Sequence, residues 1–356
     1  MKKSTFIIGL TLAIALLFNV SCQSNSVEEP TKDSDITDFL GQWSFNIGTK
    51  TGVPGTVGWL EVKNENEVWE ADFLWGGGGL VSVSYIYFAD NTLYLGRDAR
   101  KVVLQKDDEG NPLKTQLIPA WIELKVDGDQ ISGYHLTPNA NHVGLDTVLI
   151  NGKKMPEVLT PPDLANLKFD EPINLIKDAN SLDGWKLIEE KAENGWYMKD
   201  GVLHNNPVQK EGEPHIWYGN LRTEQEFEDF NLKLDLKVTE RSNSGIYLRG
   251  MVEVQVSDSY EQPINIHGTM GAVFSRILPT ENAAKPAGEW QTMDITYVDR
   301  HITVKLNDVT VIDNQPVYGP TGGAIYSDML LVGPIYLQGD HTEAIYRNII
   351  LTPIIK

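Results

Sequence analysis

Alternating polar and apolar positions recur along nearly the whole chain, as in strands that bury only one face. Before position 156 the pattern forms short runs rich in aromatic and β-branched residues, such as Trp43 to Ile47 and Val57 to Val62. Turn sequences such as Asp127-Gly128-Asp129 separate these runs. Regular short strands joined by hairpins predict a small antiparallel β barrel or sandwich over residues 36–155.

The same alternation returns after a proline-rich stretch. Four prolines between positions 156 and 172 disfavour both helix and central strand, so we predict a linker over residues 156–172. Between Asn231 and Val238 every second residue is leucine or valine. The number and spacing of such runs predict a two-sheet jelly roll over residues 173–356, so the predicted fold class is all-β.

The first residues have the layout of a secretory signal. Two lysines precede an apolar run from Phe6 to Phe18, which is too short to span a bilayer comfortably. The only cysteine, Cys22, follows a small residue, as at a bacterial lipoprotein cleavage site; the alternative is an ordinary signal with an incidental cysteine. We predict a signal peptide over residues 1–22, lipidation of Cys22 and a disordered tether over residues 23–35. The protein would then be lipid-anchored to a bacterial membrane, in the periplasm or at the cell surface.

Composition narrows the classes of partner. The chain has 356 residues and a formal net charge of −19, with no basic patch that could bind phosphates. Nucleic acid is therefore not an expected partner. With Cys22 as the only cysteine, the mature protein has no internal disulfide, and its stability must come from core burial.

The stretch from Ser242 to Tyr260 combines two strand-like runs with an unusual polar face. Its apolar set alternates with a phenol, a guanidinium, a carboxylate and an amide, namely Tyr247, Arg249, Glu253 and Gln255. Such a face suits the binding of a polar ligand. The structural alternative is a cross-strand pair between Arg249 and Glu253 on a solvated sheet.

Several blocks in the second half follow one another in the order of a known family. The most specific blocks are Asn243-Ser244-Gly245-Ile246-Tyr247-Leu248-Arg249-Gly250 and Glu253-Val254-Gln255-Val256-Ser257-Asp258. The others are Leu182-Asp183-Gly184-Trp185, Lys285-Pro286-Ala287-Gly288-Glu289-Trp290, Gly333-Pro334-Ile335-Tyr336-Leu337-Gln338-Gly339-Asp340-His341 and Tyr346-Arg347-Asn348-Ile349. With them the chain from about Ile173 onward resembles the 3-keto-disaccharide hydrolase family, also described as 3-keto-glycoside lyases. The resemblance implies a concanavalin- or LamG-like jelly roll that cleaves 3-keto-glycosides by elimination or net hydrolysis.

The chemistry implied by the resemblance assigns roles to three residues. A ketone at C3 acidifies the hydrogen on C2, so the enzyme needs a base near C2, donors at the C3 oxygen and an acid for the leaving group. The family motif points to His341 as the base. Arg249 would hold the enediolate oxygen, and Glu253 would act as base or acid. The alternatives are a surface histidine and a structural ion pair.

Further candidates would bind the sugar. Amides, charged groups and aromatic rings suit sugar hydroxyls and sugar C–H faces, although each residue also has a structural interpretation as a turn, cap, ion pair or core residue. These candidates are Asn243, Tyr247, Gln255, Asp258, Lys285, Glu289, Trp217 and Arg347. The sequence leaves open whether a divalent metal ion binds to Glu253, Asp258, Asp340 and His341, because it contains no closely spaced ligand motif.

Two other functions fit the same sequence. One is a non-catalytic glycan-binding lipoprotein, since jelly rolls often serve as binding modules. The other is an ordinary glycosidase that pairs Glu253 with Asp258 or Glu289. Under the leading interpretation, the partners are a carbohydrate substrate and a separate glycoside 3-dehydrogenase that supplies the ketone.

Overall fold

The computed structural model describes residues 34–139, 144–158, 160–210 and 212–355, without the side chain of Arg100. The predicted signal peptide, Cys22 and the tether up to residue 33 lie outside the described residues. The described part of the chain contains no helix that is both long enough and apolar enough to cross a membrane. From Ser34 onward the chain forms one compact unit.

The described residues are almost entirely strands, which confirms the all-β prediction. Short 3-10 helices occur at Ile36–Phe39 and Leu164–Asn166. The strands are β1 Gly41–Ile47, β2 Val57–Glu65, β3 Val68–Trp75, β4 Val81–Ala89, β5 Thr92–Lys106, β6 Pro112–Asp127, β7 Gln130–Pro138, β8 Leu145–Lys154, β9 Lys168–Phe169, β10 Ile173–Asn174, β11 Trp185–Leu187, β12 Trp196–Lys199, β13 Val202–Asn205, β14 Leu221–Thr223, β15 Phe230–Val238, β16 Asn243–Leu248, β17 Val252–Ser257, β18 Gln291–Val298, β19 His301–Leu306, β20 Val309–Pro316, β21 Tyr336–Leu337 and β22 Ala344–Ile355.

Strands β1 to β8 form a closed antiparallel barrel in which each strand pairs with the next and β8 pairs back with β1. Its interior is apolar because every second residue of these strands points inward, including the fully buried Trp43, Phe45, Leu60 and Phe73. Phe45 packs directly over Gly58, where a Cβ would come within 2.1 Å of the ring. The sequence did not distinguish a barrel from a sandwich. The pairing of β1 with β8 closes the sheet and shows that this part of the chain is a barrel.

The remaining strands form two facing sheets, as the jelly-roll prediction requires. The larger sheet has nine strands and runs β12-β13-β22-β15-β18-β19-β20, with β9 and β10 also paired to β22. The smaller runs β11-β14-β21-β16-β17. Apolar residues from both sheets, such as Leu232 of β15 and Ile246 of β16, are fully buried between them. This core therefore fixes which face of the β16–β17 hairpin points away from it.

Barrel and jelly roll pack against each other. Trp59 on β2 belongs to the jelly-roll core, and the guanidinium carbon of Arg276 lies 4.0 Å from the centre of a Trp59 ring. The glycine run at residues 76–79 also takes part: Gly323 N–H donates to the carbonyl of Gly76 at 2.9 Å. A Cβ on Gly322 would stand 2.0 Å from the carbonyl oxygen of Gly78. Glycine is therefore required at position 322 for this close packing.

Candidate functional site

A row of three polar side chains crosses the smaller sheet on the face opposite the core. Strand pairing places Tyr247 of β16 opposite Glu253 of β17 and beside Tyr336 of β21. The two phenol rings stack with centroids 3.8 Å apart and planes 11° apart. Only 4% of Glu253 and 1% of each tyrosine is exposed. A carboxyl group is thus buried beside a stack of two aromatic rings.

The hydrogen bonds around Tyr247 indicate that Glu253 is protonated. Tyr247 Oη lies 2.8 Å from Glu253 Oε2 and 2.7 Å from the carbonyl oxygen of Gly322. A phenol has one hydrogen, so both contacts are hydrogen bonds only when Glu253 carries a proton and donates it to Oη. Burial raises the pKa of Glu253 to about 8. At pH 7 the neutral acid therefore predominates.

The second carboxyl oxygen of Glu253 lies over a glycine. A Cβ on Gly245 would stand 2.3 Å from Glu253 Oε1, so only glycine lets the carboxyl lie against the strand at this position. Among the described residues Oε1 has no hydrogen-bond partner, whereas Oε2 is held by Tyr247. Oε1 is therefore the oxygen that is left for a ligand.

A second row, of amide side chains, lies next to the first. Gln255 is opposite Gly245 in the hairpin, and Gln338 N–H donates to the carbonyl of Gly245 at 3.0 Å. The Oε1 atoms of both glutamines are buried and have no hydrogen-bond partner in the part of the chain that is described. An unpaired buried acceptor costs roughly 1–3 kcal/mol. Ligand hydroxyls would satisfy both atoms. We call Tyr247, Glu253, Gln255, Tyr336 and Gln338 the Glu253 cluster.

Exposed side chains lie beyond the second row. Gln255 Nε2 donates to Asn243 Oδ1 at 2.7 Å, and Asn243 N–H donates to Thr342 Oγ1 at 2.7 Å. Thr342 follows His341, which is exposed. Asn243 therefore connects the Glu253 cluster to the segment that carries His341.

A solvent-exposed aromatic platform lies beside the same segment. Trp217 is 72% exposed, and its ring meets the ring of His215 edge-on with centroids 4.6 Å apart. His215 Nε2 lies 3.0 Å from an oxygen of Asp340, the residue before His341. An exposed indole that is braced in this way suits stacking on the C–H face of a sugar.

The second half of the chain matches a known protein family. The model of the 3-keto-alpha-glucoside-1,2-lyase-like domain matches residues 171–352, about half of the chain. The chain belongs to this family. No curated protein matches it.

Three solved structures are each similar to about half of this chain. A candidate glycosyl hydrolase from Parabacteroides distasonis is 31% identical over 51% of this chain and 82% of its own, with a TM-score of 0.41. A second candidate glycosyl hydrolase from that organism is 17% identical, and the match covers 51% of this chain and 92% of its own; the TM-score is again 0.41. The carbohydrate-binding module CBM66 from Bacillus subtilis is 12% identical, and the match covers 47% of this chain and 93% of its own, with a TM-score of 0.29.

The structure brings together four of the residues that the sequence singled out. Tyr247, Glu253 and Gln255 share one sheet face, and Asn243 is hydrogen-bonded to Gln255. The alternation of the hairpin was sufficient to place them. Tyr336 and Gln338 were quoted in a family motif but were not chosen as site residues. The same alternation, with Leu337 between them in the core, could have identified them.

Arg249 does not belong to this group. It occupies the turn after β16 with a φ of 53°, so the strand alternation no longer applies to it. Its Nε donates to the carbonyl of Leu331 at 2.8 Å, and Nη2 donates to the carbonyl of Met329 at 3.1 Å. His341 lies near Asn243 at the opposite end of β16, roughly 20 Å away at about 3.3 Å per residue. The structure therefore does not bring Arg249 and His341 to one site, as their roles on a single substrate would require. Arg249 also does not form the ion pair with Glu253 that was the structural alternative.

Three other candidates lie on the larger sheet or its edge. Arg347 donates from Nε to Asp235 at 3.0 Å, and its guanidinium carbon lies 3.9 Å from the centre of the Trp290 ring. Lys285 and Glu289 are exposed in the segment before β18. This sheet packs across the core from the Glu253 cluster, so the structure does not bring Arg347, Lys285 or Glu289 to it.

Asp258, Asp340 and His341, the other possible metal ligands, do not gather around Glu253. One oxygen of Asp258 accepts a hydrogen bond from Arg241 N–H at 2.9 Å, which stabilises the turn before β16. Asp340 is paired with His215. No three His, Cys, Asp or Glu side chains within the described residues are grouped so that they could hold a metal ion. The structure therefore does not gather the four residues considered as metal ligands, nor does it place Asp258 or Glu289 as a second carboxylate beside Glu253.

Proposed function

We propose that this protein cleaves 3-keto-glycosides, with Glu253 as the residue that moves the proton. Family membership supports a glycoside-processing enzyme. The observation that carries the proposal is the buried Glu253 carboxyl, whose pKa of about 8 matches the demands of proton transfer near neutral pH. It lies beside two buried amide oxygens for which the described residues supply no hydrogen-bond donor.

The reaction needs only one acid–base group in this arrangement. The ionised Glu253 removes the proton from C2, and the C–H electron pair forms an enolate with the C3 ketone. The enolate then collapses to a C1–C2 double bond and restores the ketone, while the C1–O bond breaks. Glu253 returns its proton to the leaving oxygen, so the products are an alcohol and an unsaturated keto-sugar. Addition of water across the double bond would make the net reaction a hydrolysis.

The second row would orient the sugar. Hydroxyl groups would donate to the unpaired oxygens of Gln255 and Gln338, and the amide N–H groups of Gln338 could donate to the C3 oxygen. Because Glu253 is almost fully covered, the substrate would approach from the side of Gln338, which is half-buried, and of Asn243, which is exposed. Trp217 and His341 would contact the aglycone.

Release of 4-nitrophenol from its 3-keto-glucoside tests this function. Wild-type protein should release the aglycone, whereas the unoxidised glucoside should stay intact. Glu253→Gln keeps the size of the side chain but cannot take a proton, so its kcat should fall by roughly 10²-fold or more. If His341→Ala abolishes release and Glu253→Gln does not, the base is His341. Cleavage of the unoxidised glucoside would instead favour an ordinary glycosidase.

Trp217 favours a second candidate, a non-catalytic glycan-binding module. Its exposed indole could bind a sugar without any chemistry. Binding of a 3-keto-glucoside that is lost in Trp217→Ala, with no aglycone release by the wild type, would support this alternative.

The setting of the reaction is also a proposal. Lipidation at Cys22 would anchor the enzyme to a bacterial membrane, facing the periplasm or the exterior. A separate glycoside 3-dehydrogenase would produce the ketone. Labelling with radioactive palmitate, compared between wild type and Cys22→Ser, tests the anchor.

A further inference from the structure

The barrel has a cavity of its own. It lies at one end of the barrel between β5, β6, β7 and β8, and its volume is about 610 Å³. Small-molecule sites typically have volumes of roughly 300–1,000 Å³. Neither the family match nor the Glu253 cluster includes these residues.

The floor of this cavity changes abruptly from apolar to basic. Leu93, Leu95 and Arg97 occupy successive alternate positions of β5, and only the first two are fully buried apolar residues. On β7, alternate positions likewise change from the buried, apolar Ile131 to the buried His135. A guanidinium and an imidazole therefore lie directly above the apolar interior of the barrel.

Among the residues that the structure describes, no acidic side chain pairs with Arg97. Its Nη1 lies 3.4 Å from His135 Nε2, and its guanidinium carbon lies 5.9 Å from the centre of the Phe73 ring. Burial, together with the charge of Arg97, lowers the pKa of His135 to about 4, so His135 is neutral and accepts from Arg97. No carboxylate among the described residues forms an ion pair with Arg97, which leaves most of its five N–H donors unused.

The wall next to Arg97 is apolar. The register of β5 against β6 shifts between Arg97 and Arg100, and such a bulge moves the inward positions from odd to even numbers. Val102 and Leu104 consequently line the cavity, together with Ile118 of the neighbouring strand β6. His135 stacks on Trp75 with centroids 4.1 Å apart, which fixes the imidazole beside the guanidinium.

The acidic residues of the cavity lie at its rim. Asp98 and Asp146 line it but are exposed, and Asp98 accepts a hydrogen bond from Ser84. Solvent screens these exposed charges, whereas the half-buried Arg97 charge is screened much less. The floor of the cavity therefore selects an anion.

We propose that this end of the barrel binds a small organic carboxylate with an apolar body. The carboxylate would take two parallel hydrogen bonds from Arg97, and the body would lie along the wall formed by Val102, Leu104 and Ile118. Such a site is separate from catalysis and would give the barrel a binding function of its own.

Calorimetric titration of the full-length protein with octanoate and with octan-1-ol tests the site. Octanoate should bind and octan-1-ol, which has the same chain without the charge, should not. Arg97→Gln should weaken octanoate binding by roughly 10- to 100-fold, the usual worth of hydrogen bonds to a charged group. Lys101→Gln, on an exposed position of the same strand, and Glu253→Gln should bind like the wild type.

Three results would overturn the proposal: equal binding of octanoate and octan-1-ol, equal binding of octanoate by Arg97→Gln, or binding of inorganic phosphate as strong as that of octanoate. Equally strong binding of phosphate would indicate a general anion site to which the apolar wall contributes no affinity. If Arg97→Gln does not fold, the comparison of octanoate, octan-1-ol and phosphate on the wild type decides alone.

Discussion

Tyr247 and Glu253 form a buried pair in which the phenol oxygen lies 2.8 Å from one carboxyl oxygen. Their relationship follows from the hairpin, because they are cross-strand partners on the face opposite the core. Since Tyr247 Oη also contacts the carbonyl of Gly322 at 2.7 Å, this pair stabilises the neutral carboxylic acid. The consequences for activity and stability can be measured separately.

Activity should depend on the ionised form of Glu253. Because burial raises its pKa to about 8, the ionised fraction is small at pH 6 and grows as the pH rises through 8. We expect kcat for a 3-keto-glucoside to rise with pH and level off above about 8. A rate that falls over the same range would mean that the neutral acid is the active form. Initial rates in constant ionic strength buffers between pH 6 and 9 provide the measurement.

Stability should show the opposite trend. The folded state retains a proton on Glu253 at pH values where the unfolded chain has released it, so the free energy of unfolding falls as the pH rises from the unfolded pKa near 4.5 to about 8. Glu253→Gln cannot ionise and should lack this contribution. Urea unfolding at pH 5 and at pH 8 should therefore show a smaller pH-dependent loss in the variant than in the wild type. An equal loss of unfolding free energy in the wild type and the variant would contradict a buried, protonated Glu253 carboxyl.

The sequence carried enough information for the architecture because period-two alternation reports directly on burial. Ile246 and Val254 alternate with Tyr247 and Glu253, and this alone placed the hairpin and its polar face. The choice between barrel and sandwich depends on whether β1 meets β8, a long-range contact that no local pattern encodes. The packing of Gly78 against Gly322 was likewise invisible to local reasoning.

The site was only partly predictable for the same reason. Arg249 was grouped with Tyr247 by counting residues, but its positive φ ends the alternation and turns the side chain to the carbonyls of Met329 and Leu331. Arg347 and Glu289 belong to family motifs, yet motifs do not state which sheet a residue joins. Only the three-dimensional pairing separates them from Glu253.

Gly245 should be required for the geometry of Glu253. An alanine there would put its Cβ 2.3 Å from Glu253 Oε1 and push the carboxyl away. We expect Gly245→Ala to lower kcat/KM by about tenfold or more, since a change of about 1.4 kcal/mol in the barrier is tenfold in rate. Gly77→Ala is a matched control because a Cβ at Gly77 meets no atom of the described residues within 4 Å. Full activity in Gly245→Ala would argue against Oε1 as the reacting oxygen.

Arg249 should matter for stability and not for chemistry. Its guanidinium binds two backbone carbonyls and lies 5.8 Å from the centre of the Tyr297 ring, so Arg249→Gln should lower the free energy of unfolding by about 1–3 kcal/mol. The exposed Lys285→Gln should change it by less than about 0.5 kcal/mol. Under conditions where Arg249→Gln is folded, its kcat should equal that of the wild type. A large drop in kcat at full stability would restore a catalytic role.

The most direct test of proton removal at C2 is the rate of aglycone release from a 3-keto-glucoside that carries deuterium at C2. The wild type at pH 7 should release the aglycone more slowly from the deuterated sugar than from the ordinary one, because Glu253 breaks the C2–H bond. Deuterium at C1 should have no comparable effect. Equal rates for both C2 isotopes, together with full activity of Glu253→Gln, would contradict the proposed chemistry.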